Sequence, residues 1–278
     1  MDDSGRAIVA HYTVPVKPPP ATPSPAATLV LLRDRTAGGL EVLLIQRHEK
    51  SRFAGGAYVF PGGKIEADDN PEDAVRWCAG LDAASAARRL GLADAERVAL
   101  GYLVGAIRET FEEVGILLAH DAGGRPVRVD PPRFAAHRRA CAVDNRAFWE
   151  MVKTERLLLA TDSLVYFAHW ITPEESPYRY DTRFFAAPVP AGQDAVADER
   201  EIVDVRWLTP GEAFAAAQRG EIALRTPTIK NLELLDGAAS VAAGLASLGG
   251  RVVPTIRPRV LDEAGERRVL FPGDPGYF

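Results

Sequence analysis

Cysteine is nearly absent. Cys78 and Cys141 are the only two in 278 residues, and without CxxC spacing they suggest neither a zinc site nor a disulfide framework, only two reduced thiols. A positive excess is missing too. Lys and Arg number 33 against 38 Asp and Glu, for a net charge of −5, so the electrostatic footprint of a nucleic-acid binder is lacking and no nucleic-acid partner is expected. An anionic ligand must instead be met by a local cationic pocket or a bound metal. Long apolar runs are lacking as well. The stretches 26–32 and 42–45 fall far short of the roughly 20 residues that span a bilayer, so no membrane partner is expected. The opening carries Asp2 and Asp3 rather than the apolar core of a signal peptide, and Gly276-Tyr277-Phe278 is not a peroxisomal address; the expected location is cytoplasmic.

What is present is a globular composition, 47% hydrophobic and 26% charged. Pro15, Pro18, Pro19, Pro20, Pro23 and Pro25 remove backbone donors and favour an extended conformation, so residues 1–25 are expected to form a flexible arm. From Ala26 the pattern changes. The runs 26–32 and 40–47 flank Gly38-Gly39 and read as a hairpin of buried strands. A short strand is expected at 58–60, two short helices around Gly80 within 71–92, and a long helix over 95–114 closed by Gly115. Helices follow at 134–141 and 146–153, then strands at 164–172, 182–189 and 201–208. Thr209-Pro210-Gly211-Glu212 spells a capped helix start, and Thr226-Pro227 repeats the opening. The tail 251–278 is strand-like and loop-like in pieces. Alternation of strands and helices predicts an α/β fold with a mixed sheet.

The long helix carries the chemistry. Glu109, Glu112 and Glu113 have i, i+3 and i+4 spacing, which brings their carboxylates within one turn, while Ile107, Phe111 and Val114 share an apolar face. Such crowding of like charge is unfavourable unless a cation intervenes, and carboxylate oxygens suit hard cations such as Mg²⁺ or Mn²⁺. An ordinary solvated acidic face has the same composition. Arg108 and Gly115 set this helix apart from one, because Arg108-Glu109-Thr110-Phe111-Glu112-Glu113-Val114-Gly115-Ile116 resembles the second half of a Nudix box; only Thr110 stands where a larger apolar residue is usual. Phe60-Pro61-Gly62-Gly63-Lys64-Ile65-Glu66 resembles its opening. Counting on from Gly63 reaches Asp69 where the family has Glu, and 38 residues then separate Asp69 from Arg108 where the family has seven. The box is interrupted, as in the Nudix branch that cleaves coenzyme A.

That resemblance implies a Nudix-type α/β/α sandwich over 26–211, with a helical insertion at 70–100, and C-terminal helices and tail (212–278) packed on the same domain. It implies metal-dependent hydrolysis of a nucleoside diphosphate linked to another moiety, in the presence of Mg²⁺ or Mn²⁺. Glu109, Glu112 and Glu113 are then metal ligands, with the Gly63 carbonyl contributing, and Arg108 orients the glutamates. The general base of the superfamily often lies in a later loop; Asp198, Glu199 and Glu201 are candidates, with Glu201 favoured. Glu66 and Asp69 are further candidates to assist the site.

Arg52, Gly56 and Phe60–Gly63 also resemble the coenzyme A signature that precedes some Nudix boxes, although Ile45 and His48 depart from its earlier part. Arg47, Lys50 and Arg52 bring fixed charge for phosphate, and Gly55 and Gly56 permit close approach of backbone. His48 reads as a surface residue. Arg183, set among apolar neighbours, is a further substrate-binding candidate, whereas the aromatics of 166–170 and 184–185 read mainly as core. The small-molecule nucleotide substrate expected is coenzyme A or an acyl-CoA, with ADP-ribose or NADH as rivals in the same reaction class. A non-catalytic nucleotide-sensing module of the same fold is the rival from another class. A homodimer is left open.

Overall fold

The first apolar run extends further than its hydrophobic core suggests. A computed structural model describes residues 19–51, 53–92, 95–129, 131–263 and 266–277, and in it strand β1 covers Ser24–Asp34, so the sheet begins at Ser24 and takes in Pro25. Most of the proline-rich arm, residues 1–18, lies outside the described residues. Strands β2 (Leu40–Arg47), β3 (Tyr58–Val59) and β4 (Gly62–Lys64) follow. Next come helices α1 (Ala83–Leu90) and α2 (Glu96–Val114), strand β5 (Ala119–His120), helices α3 (Pro131–Cys141) and α4 (Arg146–Thr154), and strand β6 (Leu158–Leu159). Strands β7 (Val165–Ile171), β8 (Tyr180–Pro188) and β9 (Ile202–Leu208) lead to helices α5 (Pro210–Gln218), α6 (Thr226–Glu233) and α7 (Val241–Gly249). Strands β10 (Thr255–Ile256), β11 (Arg259–Glu263) and β12 (Glu266–Leu270) complete the chain.

The main sheet runs β10-β7-β8-β1-β2-β3, with β4 added to β1 and β9 to β2. It is mixed: β1 and β8 are parallel, as are β7 and β10, while the other pairs are antiparallel. Strands β1 and β2 pair only near their shared turn, Leu32 opposite Val42 and Asp34 opposite Leu40. Beyond that they part. The first half of β1 pairs with β4, Ala27 opposite Gly63; the second half of β2 pairs with β3, and β9 pairs with β2 from Val42 to Arg47. The residues of interest gather where the strands part.

Alternation along the strands gives the sheet two apolar faces. Ala27, Leu29 and Leu31 face one core with α1, α2, α3 and α4; Val30 and Leu32 face the other with α5, α6 and α7. This is the expected α/β/α sandwich. Helix α2 is wrapped by core on most sides, and Ile107, Phe111 and Val114 are fully buried as their spacing requires. Truncating a side chain such as Phe111 typically costs about 3–5 kcal/mol. Gly115 ends the helix at φ 74°, donating its N–H to the Phe111 carbonyl; a Cβ would strain this left-handed cap.

Some expectations need correction. The first insertion helix is only a 3₁₀ turn, Ala74–Trp77, because Cys78 immediately bridges in extended form to Leu159. Thr209 caps α5 with the full capping box. Thr226 does not repeat it: Arg225 is the cap, without a side-chain bond, and Thr226 is already helical. Strands β10, β11 and β12 fall in the tail 251–278, whose sequence is strand-like in pieces, whereas α7 lies before it and has no helix start among those expected. Cys78 and Cys141 are both free, and burial pushes each thiol up to about 12.

Candidate active site

Arg108 is the hub, with only 2% of its surface exposed. Its Nε donates to Asp69 Oδ1 at 2.6 Å and Nη2 to Oδ2 at 3.1 Å, a bidentate pair. Nη2 also reaches the Lys64 carbonyl at 3.0 Å and Glu109 at 3.0 Å, and Nη1 reaches both Glu112 oxygens at 3.3 Å. Burial opposes this charge, but Asp69, Glu109 and Glu112 hold the guanidinium firmly protonated. Asp69 is positioned by its own turn: the Glu66 N–H donates to Asp69 Oδ2 at 2.8 Å. The residue reached by counting along the interrupted motif therefore meets the arginine in space, across 39 positions of sequence.

The glutamates occupy different surroundings. Glu113 is buried, accepts from the Gly62 N–H at 2.8 Å, and lies 3.5 Å from Arg47 Nη1. Burial first, then the charge of Glu109, raises its pKa well above the carboxyl range. Burial likewise raises Glu109 and Glu112, with Arg108 opposing. A Cβ placed on Gly63 would meet the Glu109 carboxylate at 2.5 Å. Only glycine lets this carboxylate lie against the strand, which makes Gly63 part of a cradle for whatever Glu109 holds. Hard oxygen donors from Glu109, Glu112, Glu113 and the Gly63 carbonyl fit a divalent cation chemically. Among the described residues, however, no three His, Cys, Asp or Glu side chains are closed around one point; Arg108 takes up Glu109 and Glu112, and Arg47 lies beside Glu113.

Beside this cluster lies a cavity of about 340 Å³, whose lining includes Arg47, Lys50, Phe53, Tyr180 and Glu201. Arg47 Nη2 lies 3.8 Å from Glu201, whose side chain is 67% exposed. Arg47 Nε is buried and has no hydrogen-bond partner. Phe53 packs edge-on against Tyr180, ring centroids 5.0 Å apart. Gly56, at φ 72°, donates its N–H to the Arg47 carbonyl and so closes the loop that carries these groups. Gly55 packs so tightly that a Cβ would lie 2.4 Å from the Glu49 carbonyl oxygen. His48, expected at the surface, is half-buried and lines this cavity, its Nδ1 accepting the Lys50 N–H at 3.1 Å. Arg52 lies outside the described residues.

Of the three acids considered as base, Asp198 is occupied with the backbone N–H groups of Arg200, Glu201 and Ile202, and Glu199 sits at φ 62° in that turn. Glu201 is the one that lines the cavity. Arg183 is not brought to this site. It lies across the sheet, over Tyr102 at 4.4 Å and paired with Asp181 at 3.1 Å, in a separate cavity. Phe167, Trp170, Phe184 and Phe185 are buried in the two cores. Three contributors escaped the sequence reading: the Gly62 N–H, the Lys64 carbonyl, and Arg138, whose Nε donates to the Glu112 carbonyl at 2.8 Å. The first two are backbone groups with no residue-type signal. Arg138 had only the generic cue of a base near a helix end.

A sandwich with a glutamate-bearing helix set against a Gly-Gly strand defines the Nudix class. A family model described as the NUDT19 Nudix domain matches residues 96–235, just over half of the chain, and one described as the NUDIX domain matches residues 22–76. The chain belongs to the Nudix family, in the branch that the NUDT19 Nudix domain describes. The two matches leave residues 77–95 between them, inside the interruption. The chain is 29% identical to the acyl-coenzyme A diphosphatase NUDT19 of Xenopus laevis over 70% of its own length and 59% of the relative's. It is 30% identical to the protein of that name from Gallus gallus, over 69% and 60%, and 26% identical to that of Homo sapiens, over 93% and 75%. Thus it spans less than two thirds of the frog and chicken proteins. A Nudix hydrolase from Alicyclobacillus acidocaldarius shares the fold, at 23% identity and TM-score 0.68, over 83% of this chain and 99% of that one. No helix among the described residues is long and apolar enough to cross a membrane.

Proposed function

We propose that this chain hydrolyses the diphosphate bond of coenzyme A or an acyl-CoA, using Mg²⁺ or Mn²⁺. The observation that carries the reading is the Asp69–Arg108 pair, which rejoins the interrupted motif and sets Glu109 against Gly63. The similarity to acyl-coenzyme A diphosphatases supports the choice of substrate. Glu109, Glu112 and Glu113, with the Gly63 carbonyl, are the groups that would hold the cation. When bound, the cation neutralises diphosphate charge and acidifies the attacking water.

The chain's own residues do the rest. Arg108 fixes Glu109 and Glu112 while its bidentate bond to Asp69 keeps it from turning towards substrate. Arg47, with an unused buried Nε–H, binds a diphosphate oxygen, and Lys50 adds charge at the cavity rim. Gly56 holds the loop in place, and Arg52 belongs to the same basic stretch. Phe53 and Tyr180 offer an aromatic wall to a base or an apolar arm. Glu201, exposed and adjacent to Arg47, takes the proton of the attacking water.

Incubation of the full chain with Mg²⁺ or Mn²⁺ and CoA, ADP-ribose or NADH tests this. The expected products from CoA are 3′-phosphoadenosine 5′-phosphate and 4′-phosphopantetheine, with kcat lowered at least about 10²-fold in Glu112→Gln. Turnover of ADP-ribose or NADH in preference to CoA would redirect the substrate. No turnover of any diphosphate would leave a binding module.

A further inference from the structure

A second cavity, of about 650 Å³, lies on the opposite flank of α2, between the end of α1, strands β7 and β8, and the segment running from Gly249 to Thr255. It shares no lining residue with the cavity beside Glu201. The two nevertheless stand on one sheet. Arg183 and Gly63 flank Ala27 on either side, which puts their backbones two strand spacings, roughly 10 Å, apart. Helix α2 lies between, with Tyr102 beneath Arg183 and Glu109 against Gly63.

Four arginines line this second cavity: Arg88, Arg89, Arg183 and Arg251. Asp162 is the acid among the lining residues, and Asp181 behind the wall pairs with Arg183. Arg88 is held by Ser85 Oγ and Arg89 by the Leu164 carbonyl, each through a single nitrogen. Arg251 makes no side-chain hydrogen bond or ion pair among the described residues. Arg183 is 5% exposed, yet its Nε–H is buried without a partner. A buried donor left unmade is costly, the more so when charged. The wall behind it is fixed. His169 bridges Asp181, 2.6 Å from its Nε2, and Thr255 Oγ1, 2.9 Å from its Nδ1, so Asp181 is held where it orients Arg183.

We infer that this cavity is a second ligand site, separate from the diphosphate-cleaving centre, which takes a phosphate monoester carried on an apolar or aromatic body. Phosphate is the head group because a dianion with three terminal oxygens can accept from several planar guanidinium forks at once, whereas a carboxylate has two oxygens to share. Leu90, Leu164, Val165 and Val253 supply the apolar lining for the body, and Tyr166 a ring. The volume falls within the 300–1,000 Å³ common for small-molecule sites. The wall is built from the insertion helix α1 and the C-terminal tail, so this site draws on parts of the chain that the cleaving centre does not use.

Calorimetric titration of the full chain with phenyl phosphate, without added metal, tests the inference. A saturable site is expected whose affinity falls roughly tenfold or more in Arg183→Gln and in Arg251→Gln and which persists in Arg47→Gln and Glu112→Gln. Benzoate should bind more weakly than phenyl phosphate. Arg251 is exposed and has no side-chain partner among the described residues, so Arg251→Gln reports on the site even if Arg183→Gln disturbs folding. The inference is overturned by a lack of saturable binding. It fails equally if affinity is lost in Arg47→Gln and kept in Arg251→Gln, which moves the ligand to the other cavity, or if benzoate binds as tightly.

Discussion

Arg108 and Arg47 serve two ends of one carboxylate cluster, and they differ in what they have left to give. Arg108 is buried, with Asp69, the Lys64 carbonyl, Glu109 and Glu112 all around its guanidinium. Arg47 keeps 21% of its side chain exposed, touches Glu113 and Glu201 only at 3.5 and 3.8 Å, and leaves Nε unused. A saturated buried charge fixes geometry and cannot be diverted, whereas a loosely held one at a cavity edge can exchange protein carboxylates for a substrate phosphate. The same residue type thus works as frame in one place and as grip in the other.

The largest effect should come from breaking the frame. Arg108→Ala would leave Asp69 buried without its counter-charge and remove the cation that moderates repulsion between Glu109 and Glu112. Loss of one partner from a buried pair costs roughly 3–5 kcal/mol. Urea unfolding should show a lower midpoint at unchanged slope, and activity should vanish with it. A variant as stable as the wild type would mean that Arg108 is not the frame.

Next in size is Gly63→Ala, which separates frame from chemistry. The new Cβ would sit 2.5 Å from the Glu109 carboxylate. This is the tip of a side chain held by Arg108 but able to give, so stability should fall by about 1–3 kcal/mol, less than in Arg108→Ala. The displaced carboxylate should nevertheless lower kcat about a hundredfold, since misplacement by about 1 Å has effects of that order. A fall in stability without a fall in kcat would reverse the assignment and make Gly63 a packing residue.

These two positions also mark how far the sequence can be read. Spacing alone puts Glu109, Glu112 and Glu113 on one turn, and counting from Gly63 finds Asp69 despite the interruption. The strands and α2 are legible because apolar period and capping chemistry agree there. Legibility ends where backbone takes over: the Gly62 N–H on Glu113 and the Lys64 carbonyl on Arg108 belong to no residue type. It ends also where a side chain acts across the fold. Arg183 reads from sequence as an unusual cation among apolar residues, but which flank of α2 it serves follows from the β8–β1–β4 register. The failed cap at Thr226 is a local case, because Pro at the second rather than the first helical position shifts the start by one residue.

The smallest expected effect is the most discriminating for the grip. Arg47→Ala removes a charge whose contacts are long, 3.5 Å to the buried Glu113 and 3.8 Å to the exposed Glu201, so unfolding stability should change by less than about 1 kcal/mol. If Arg47 turns to the diphosphate, KM for CoA should rise roughly tenfold, the worth of one charge-assisted hydrogen bond, with kcat little altered because ground state and transition state lose the contact alike. Arg47→Lys sharpens the point. Lysine restores the charge but not the Nε–H or the planar fork, so a partial recovery of KM is expected. Full recovery would reduce Arg47 to a general source of positive potential. A fall in kcat with KM unchanged would instead place Arg47 with Arg108, as a residue that orients Glu113 and Glu201 rather than one that meets the substrate.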